Sequence, residues 1–227
     1  MSTLLHIDSS ARPGSGAHPS HTRRLTQRFI ERWRESRPTD QLLYRDLAIT
    51  PPRPVTQAWI EAAFTRPEQR QPWMNTVLEE SDALVDEVSA ADILLLGAPM
   101  YNFSVPSSLK AWIDNIVRVG RTFGFDRARE GEPYWPLLSE KGMTAVVVTS
   151  RGDFGYADRI RDRELVLPVI STALAYIGIT DVRQVAVEYD EFGGDLLSAS
   201  FARAEADLDV LATRLISERA SGRTKAA

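Results

Sequence analysis

Short apolar runs alternate with amphipathic stretches along most of the chain, the pattern of an α/β domain built on a parallel sheet. Residues 3–8 form a brief, mostly apolar run that stops at Ser9-Ser10, and they are expected to be the first strand. Ser20 then stands as a helix N-cap before Leu25, Phe29, Ile30 and Trp33, which share one face at helical spacing. A second strand is expected over 41–47, and the Pro-rich stretch 51–54 reads as a loop. Pro72 suits the first position of a helix carrying Met74, Val77, Leu78, Ser81, Val85 and Val88. The run 92–98 is apolar on both faces, as a central strand covered by helices on both sides must be. A helix with Leu109, Trp112, Ile113, Ile116 and Val117 follows, then an aperiodic stretch over 121–140. Two more strands are expected at 143–148 and 181–187. A helix carrying Val166 to Ile177 separates them, with Pro168 in its first turn or kinking it. A last helix presents Leu197, Phe201, Ala204, Leu208, Leu211 and Leu215. One domain over 1–216 and a fraying polar tail over 217–227 are expected.

Composition narrows the function. A net charge of -4 argues against nucleic acid as the main partner, because binding a phosphate backbone needs clustered positive charge. The local arginine runs at Arg23-Arg24 and Arg159 to Arg163 read as solvated helix faces. The absence of cysteine removes disulfides, thiolate nucleophiles and Cys-ligated metals, and it fits a reducing compartment. No segment has the form of a signal peptide or reaches membrane-spanning length, so a soluble, cytoplasmic protein with no membrane partner is expected.

In a doubly wound sheet, ligands bind beyond the carboxyl ends of the strands where strand order reverses. The loops after strands one, three and four therefore carry the candidate site. The first, from Ser9 through Ser20-His21-Thr22, is rich in hydroxyls and opens a helix, whose exposed amides and partial positive charge suit a phosphate. Ser10, Ser20 and Thr22 are candidate donors and Arg12 adds charge, although Ser20 also serves simply as a cap. The loop lacks the Gly-Lys-Ser/Thr ending of a nucleoside triphosphate site and the spaced glycines of a dinucleotide site, which leaves a mononucleotide. The second, Pro99-Met100-Tyr101-Asn102-Phe103, places large side chains and an amide against a flat heterocycle, or merely over the sheet end. The third, Thr149-Ser150-Arg151-Gly152-Asp153, lets backbone approach a ligand at Gly152. His6 reads as a core or edge residue, and the three histidines show no metal-ligand pairing.

These loops, in this order and spacing, resemble the FMN-dependent NADH:quinone oxidoreductases and azoreductases of the flavodoxin-like superfamily. The stretch 98–103, followed by Ser107, Leu109 and Lys110, carries the resemblance most specifically, with 149–152 and 176–181 in support. The resemblance implies a flavodoxin-like fold with five parallel strands in the order 2-1-3-4-5 and helices on both faces. It also implies a homodimer with FMN near the subunit interface. Tightly bound FMN would be held at its phosphate by Ser10, Ser20, His21 and Thr22. Its ring would be lined by Met100, Tyr101, Asn102 and Phe103, and its pyrimidine side would face Ser150, Arg151, Gly152 and Asp153. Turnover would be a two-electron ping-pong, NADH or NADPH giving electrons that pass to a quinone or azo acceptor. Two departures from the family stand out. The segment between Arg12 and Ser20 is long and carries two prolines, and Asp153 stands where a small residue is expected, so its side chain should point away from a flavin. No residue needs to act as an acid–base catalyst, since hydride chemistry belongs to the cofactor. Phe125, Tyr134 and Trp135, in the aperiodic stretch, are candidates for the wall of the acceptor pocket. The alternatives are a flavodoxin-type electron carrier, which usually has a shorter Thr/Gly-rich phosphate loop and a more acidic surface, or a non-catalytic flavodoxin-like module.

Overall fold

In the computed structural model, which describes residues 1–221, the alternating pattern resolves into three layers. Strands β1 (Thr3–Asp8), β2 (Gln41–Asp46), β3 (Ile93–Gly97), β6 (Thr144–Ser150) and β7 (Asp181–Val187) form one sheet, all pairs parallel, in the order β2-β1-β3-β6-β7. Numbered among themselves, these five strands run 2-1-3-4-5, as expected. The register sets Leu5 beside Leu94 and Leu94 beside Ala145, so one row of alternate residues crosses the sheet on each face.

That alternation divides the core. Leu5, Ile7, Leu94, Leu96, Ala145 and Val147 turn to one face. There they are covered by α3 (Pro72–Ala90), α4 (Ser107–Ile116) and α5 (Val166–Ile177), through Leu84, Val88, Trp112, Ile116 and Ile170 among others. Leu4, Ile93, Leu95, Val146 and Val148 turn to the other face. They meet α1 (His21–Ser36) and α6 (Gly194–Ala220) through Leu25, Phe29, Trp33, Phe201 and Leu208. Both faces are covered, which is why β3 is apolar throughout and β6 is apolar over residues 145–148. Pro168 lies in the first turn of α5, where its missing N–H costs nothing.

The structure adds elements that the periodicity did not show. Helix α2 (Gln57–Phe64) follows the Pro-rich loop and packs Trp59, Ala62 and Ala63 against Met74 and Leu78 of α3. The stretch 121–140 holds an antiparallel hairpin of β4 (Phe123–Phe125) and β5 (Tyr134–Pro136). The last helix runs to Ala220, so residues 217–220 are helical rather than frayed, and 222–227 lie outside the described residues.

Candidate functional site

Four loops meet beyond the carboxyl ends of the strands and enclose a cleft of about 310 Å³, at the low end of the range for small-molecule sites. Of the residues singled out from sequence, Ser10, Ser20, His21, Met100, Tyr101, Asn102, Ser150 and Gly152 line it. Thr22, Phe103, Arg151 and Asp153 do not.

The loop after β1 is folded back on itself. The Ser9 backbone N–H and hydroxyl both donate to the Gly97 carbonyl, tying the strand end to β3, and the Arg12 N–H donates to the Ser10 hydroxyl. The Ser20 N–H donates to the Pro13 carbonyl at 2.7 Å, closing the long Pro-containing excursion so that Ser20 arrives at the start of α1. There the Ser20 hydroxyl accepts from the Arg23 N–H and sits 3.0 Å from the Thr22 hydroxyl. Ser20 is thus both a cap and a cleft residue. Thr22 is fully buried and supports it from behind.

Arg23 is no solvated cation. It forks onto Asp46 at 2.6 and 2.8 Å, donates to the Ser10 carbonyl at 2.8 Å, and lies 3.4 Å from Asp8. Around these sit Tyr44, whose hydroxyl is pushed up to about 12 by burial and by the two carboxylates, and His6, 3.3 Å from Asp8. His6 is buried, as its strand position predicts. Burial, the largest single influence, pushes the Asp46 carboxyl up, but the hydrogen bonds from Arg23 and from the Ala48 and Ile49 N–H groups, with the Arg23 charge, together leave it below the ordinary carboxylate range. Gly97 is required beside this cluster, because a Cβ there would stand 2.5 Å from an Asp8 oxygen.

The loop after β3 makes a tight reversal. Tyr101 and Ser104 exchange backbone hydrogen bonds of 2.9 and 3.1 Å across Asn102 and Phe103, both at positive φ (49° and 70°), the signature of a type I′ turn. Asn tolerates that conformation, whereas Phe carries strain of about 1–3 kcal/mol, so Phe103 marks a conformationally constrained loop. Its ring is half exposed outside the cleft, unlike the lining role expected of it. The Met100 N–H donates to the Ser150 carbonyl, and the Ala11 N–H donates to the Tyr101 hydroxyl at 3.0 Å, so this turn is pinned to both neighbouring loops.

The loops after β6 and β7 are joined by Arg151 N–H to Val187, Asp190 N–H to Arg151 and Glu191 N–H to Gly152, each onto a carbonyl. Arg151 departs from its sequence reading. Its side chain is buried away from the cleft between Glu164 and Glu188, each 3.3 Å away, and over the Tyr156 ring. Its length and charge are used to hold the loop, and only its backbone neighbours face the cleft. Gly152 leaves room for the Glu191 side chain, whose carboxylate end would have to turn away from a Cβ there. Asp153 points away, paired with Arg159 at 2.7 Å, whose hydrogen bond holds its carboxyl below the ordinary range.

The sequence reading missed Asp190 and Glu191, which line the cleft from the loop after β7. The signal was their place one loop further along the same sheet edge; their charge spoke against a phosphate site. Asp190 lies 3.0 Å from an Arg12 nitrogen and 3.1 Å from His21 Nε2. The hydrogen bond from His21 holds its carboxyl below the ordinary range, burial opposes this, and Arg12 assists.

Phe125, Tyr134 and Trp135 do not reach this cleft within one chain. Phe123, Phe125 and Tyr134 form an aromatic cluster with Tyr176 of α5, rings 4.8 to 6.2 Å apart, while Trp135 lies across Gly124. Among the described residues, no group of three or more His, Cys, Asp or Glu is placed to hold a metal ion, and no helix is long and apolar enough to cross a membrane.

A family model described as a flavodoxin-like fold matches residues 2–211. The FMN-dependent NADH:quinone oxidoreductase 2 of Idiomarina loihiensis is 42% identical over 95% of this chain and 91% of its own length. The FMN-dependent NAD(P)H:quinone oxidoreductase 1 of Pseudomonas aeruginosa is 41% identical over 93% of this chain and 99% of its own. Among solved structures, an FMN-dependent NADH-azoreductase from Bacillus anthracis in complex with FMN superposes with a TM-score of 0.81, covering 95% of this chain and 100% of its own at 18% identity. At that identity the superposition speaks for the fold alone.

Proposed function

The chain belongs to the FMN-dependent NADH:quinone oxidoreductases of flavodoxin-like fold, and from that premise we propose that its cleft holds FMN, takes electrons from NADH or NADPH and delivers them to quinone or azo compounds. The observation that carries this is the chemistry of the cleft's two ends. At one end Ser10 and Ser20 offer hydroxyls beside the N-terminus of α1, with His21 Nδ1 buried and unpartnered among the described residues. That end suits a phosphate. At the other, Met100, Tyr101 and Asn102 present thioether, ring and amide, with the Ser150–Gly152 backbone opposite. That end suits a flat, hydrogen-bonding ring.

Bound there, FMN supplies the chemistry of accepting a hydride and passing on two electrons. The chain's part is placement. The type I′ turn, locked to Ala11 and Ser150, fixes the ring-facing groups before a ligand arrives, and Arg23 fixes Ser10 through its carbonyl. Gly152, without a side chain, lets backbone come close at the cleft wall. Because one cleft serves both partners, donor and acceptor take turns, in a ping-pong order.

A homodimer in the cytoplasm belongs to the same proposal. Its support is an apolar face on α4 and α5, with Ile113, Val117, Pro168, Val169 and Tyr176, which adjoins the groove beside Tyr101 and Asn102. In such a dimer the hairpin aromatics Phe125, Tyr134 and Trp135 serve the partner's cleft as the acceptor wall. Initial rates measured against NADH at several quinone concentrations test the order: parallel double-reciprocal lines support it, and intersecting lines refute it. Sedimentation tests the assembly, with a monomer at micromolar concentration refuting it.

A further inference from the structure

Asp190 bridges the two groups that would otherwise receive a phosphate at the start of α1. One carboxylate oxygen lies 3.0 Å from Arg12 Nη1, and the other lies 3.1 Å from His21 Nε2. All three residues line the cleft together with Ser10 and Ser20. The backbone of Asp190 is fixed, its N–H donating to the Arg151 carbonyl, so the side chain alone reaches across from β7 to the β1 loop. Arg12 is half exposed and held at a single nitrogen, free to turn toward another anion. Arg23 cannot compensate, because its guanidinium is engaged by Asp46 and the Ser10 carbonyl. Glu191 adds a second carboxylate to the cleft and Asp153 is neutralised by Arg159. Arg12, held at one nitrogen by Asp190, thus shares the cleft with two acids, Asp190 and Glu191.

We infer that Asp190 is a specificity-determining residue that stands in for the flavin phosphate and must be displaced by it, so that it sets the preference for FMN over the dephosphorylated flavin. This rests on the reading of the cleft as an FMN site. When a phosphate enters, Arg12 and His21 exchange the carboxylate for phosphate oxygens, and the Asp190 side chain turns to solvent. Without the phosphate, the same carboxylate keeps two donors satisfied and the loops joined. The net effect is to weaken FMN binding below what the bare cradle would give, while a ligand lacking the phosphate leaves the bridge in place.

The test is to titrate the flavin-free protein with FMN and with riboflavin, following quenching of flavin fluorescence, for the wild type, Asp190→Asn and Asp190→Ala. Both variants should bind FMN more tightly by about tenfold, the order expected on removing one carboxylate from beside a dianion in a partly solvated site. Riboflavin affinity should not move. The Asn variant keeps the shape of the side chain and the Ala variant does not, so a shared gain reports charge. A loss of FMN affinity in both variants, or equal changes for the two flavins, would overturn the inference and make Asp190 a support for Arg12 and His21. If the wild type binds the two flavins equally and Ser20→Ala changes neither, the reading of the cradle as a phosphate site fails as well.

Discussion

Replacing Arg23 with Met removes a cation from a nearly closed cluster and leaves its acids behind. The side chains of Arg23, Asp46 and Asp8 are only 13%, 10% and 5% exposed, so water cannot fully take over the lost contacts. Two hydrogen bonds to Asp46, one strong bond to the Ser10 carbonyl and the attraction of Asp8 go at once. Breaking a buried pair from one side costs about 3–5 kcal/mol, and residual access to solvent places this case near the lower end, about 3 kcal/mol. With a urea m-value of about 2–3 kcal/mol/M, the unfolding midpoint should drop by roughly 1 M. The pH dependence has a definite sign. The Asp46 carboxyl sits below its ordinary value in the folded state, so its contribution is fully present above the unfolded value of about 4 and is lost as pH falls through the folded one. The deficit of Arg23→Met should therefore be greatest near pH 7 and shrink in acid, as its stranded carboxyls protonate. Urea melts followed by circular dichroism at pH 7 and in acid check both points. Equal midpoints at pH 7, or a deficit that persists unchanged in acid, would refute the reasoning.

Phe103→Gly should relieve positive-φ strain and raise stability by about 1 kcal/mol in urea melts, with FMN affinity held or reduced. Gly152→Ala should weaken FMN binding several-fold, because its methyl stands on the cleft wall and Glu191, an exposed side chain of the same wall, has to turn to admit it; flavin fluorescence reads this directly. Tyr134→Ala should raise the KM for quinone several-fold while leaving reduction by NADH in single-turnover mixing unchanged, as expected of an acceptor wall that is not part of the flavin cradle. Unchanged kinetics in Trp135→Ala as well would remove the hairpin from the acceptor site.

The sheet could be read from sequence because β1, β3 and β6 are buried on both faces and announce themselves as short, mostly apolar runs. Helix α2 could not, since eight residues between two Pro-containing stretches give too little period, and Trp59 finds its partners only in α3. The hairpin strands, three residues each, carry no alternation to detect. In the site, the residues legible from sequence were those whose type suits the ligand: hydroxyls at a helix start, and Met, Tyr and Asn at a strand end. Arg23, Arg151 and Asp190 were misjudged or missed for one reason. Their roles depend on charges brought from distant strands and loops, and nothing near them in sequence reveals Asp46, Glu188 or the Asp190–Arg12 bridge.

The most direct test of the enzyme is anaerobic. The protein is saturated with FMN, freed of excess, mixed with one equivalent of NADH and then with a quinone, while the visible flavin absorbance is followed. The account predicts full bleaching by the nicotinamide and full return of colour with the quinone. Retained flavin that NADH leaves coloured, or flavin lost when the excess is removed, would contradict it.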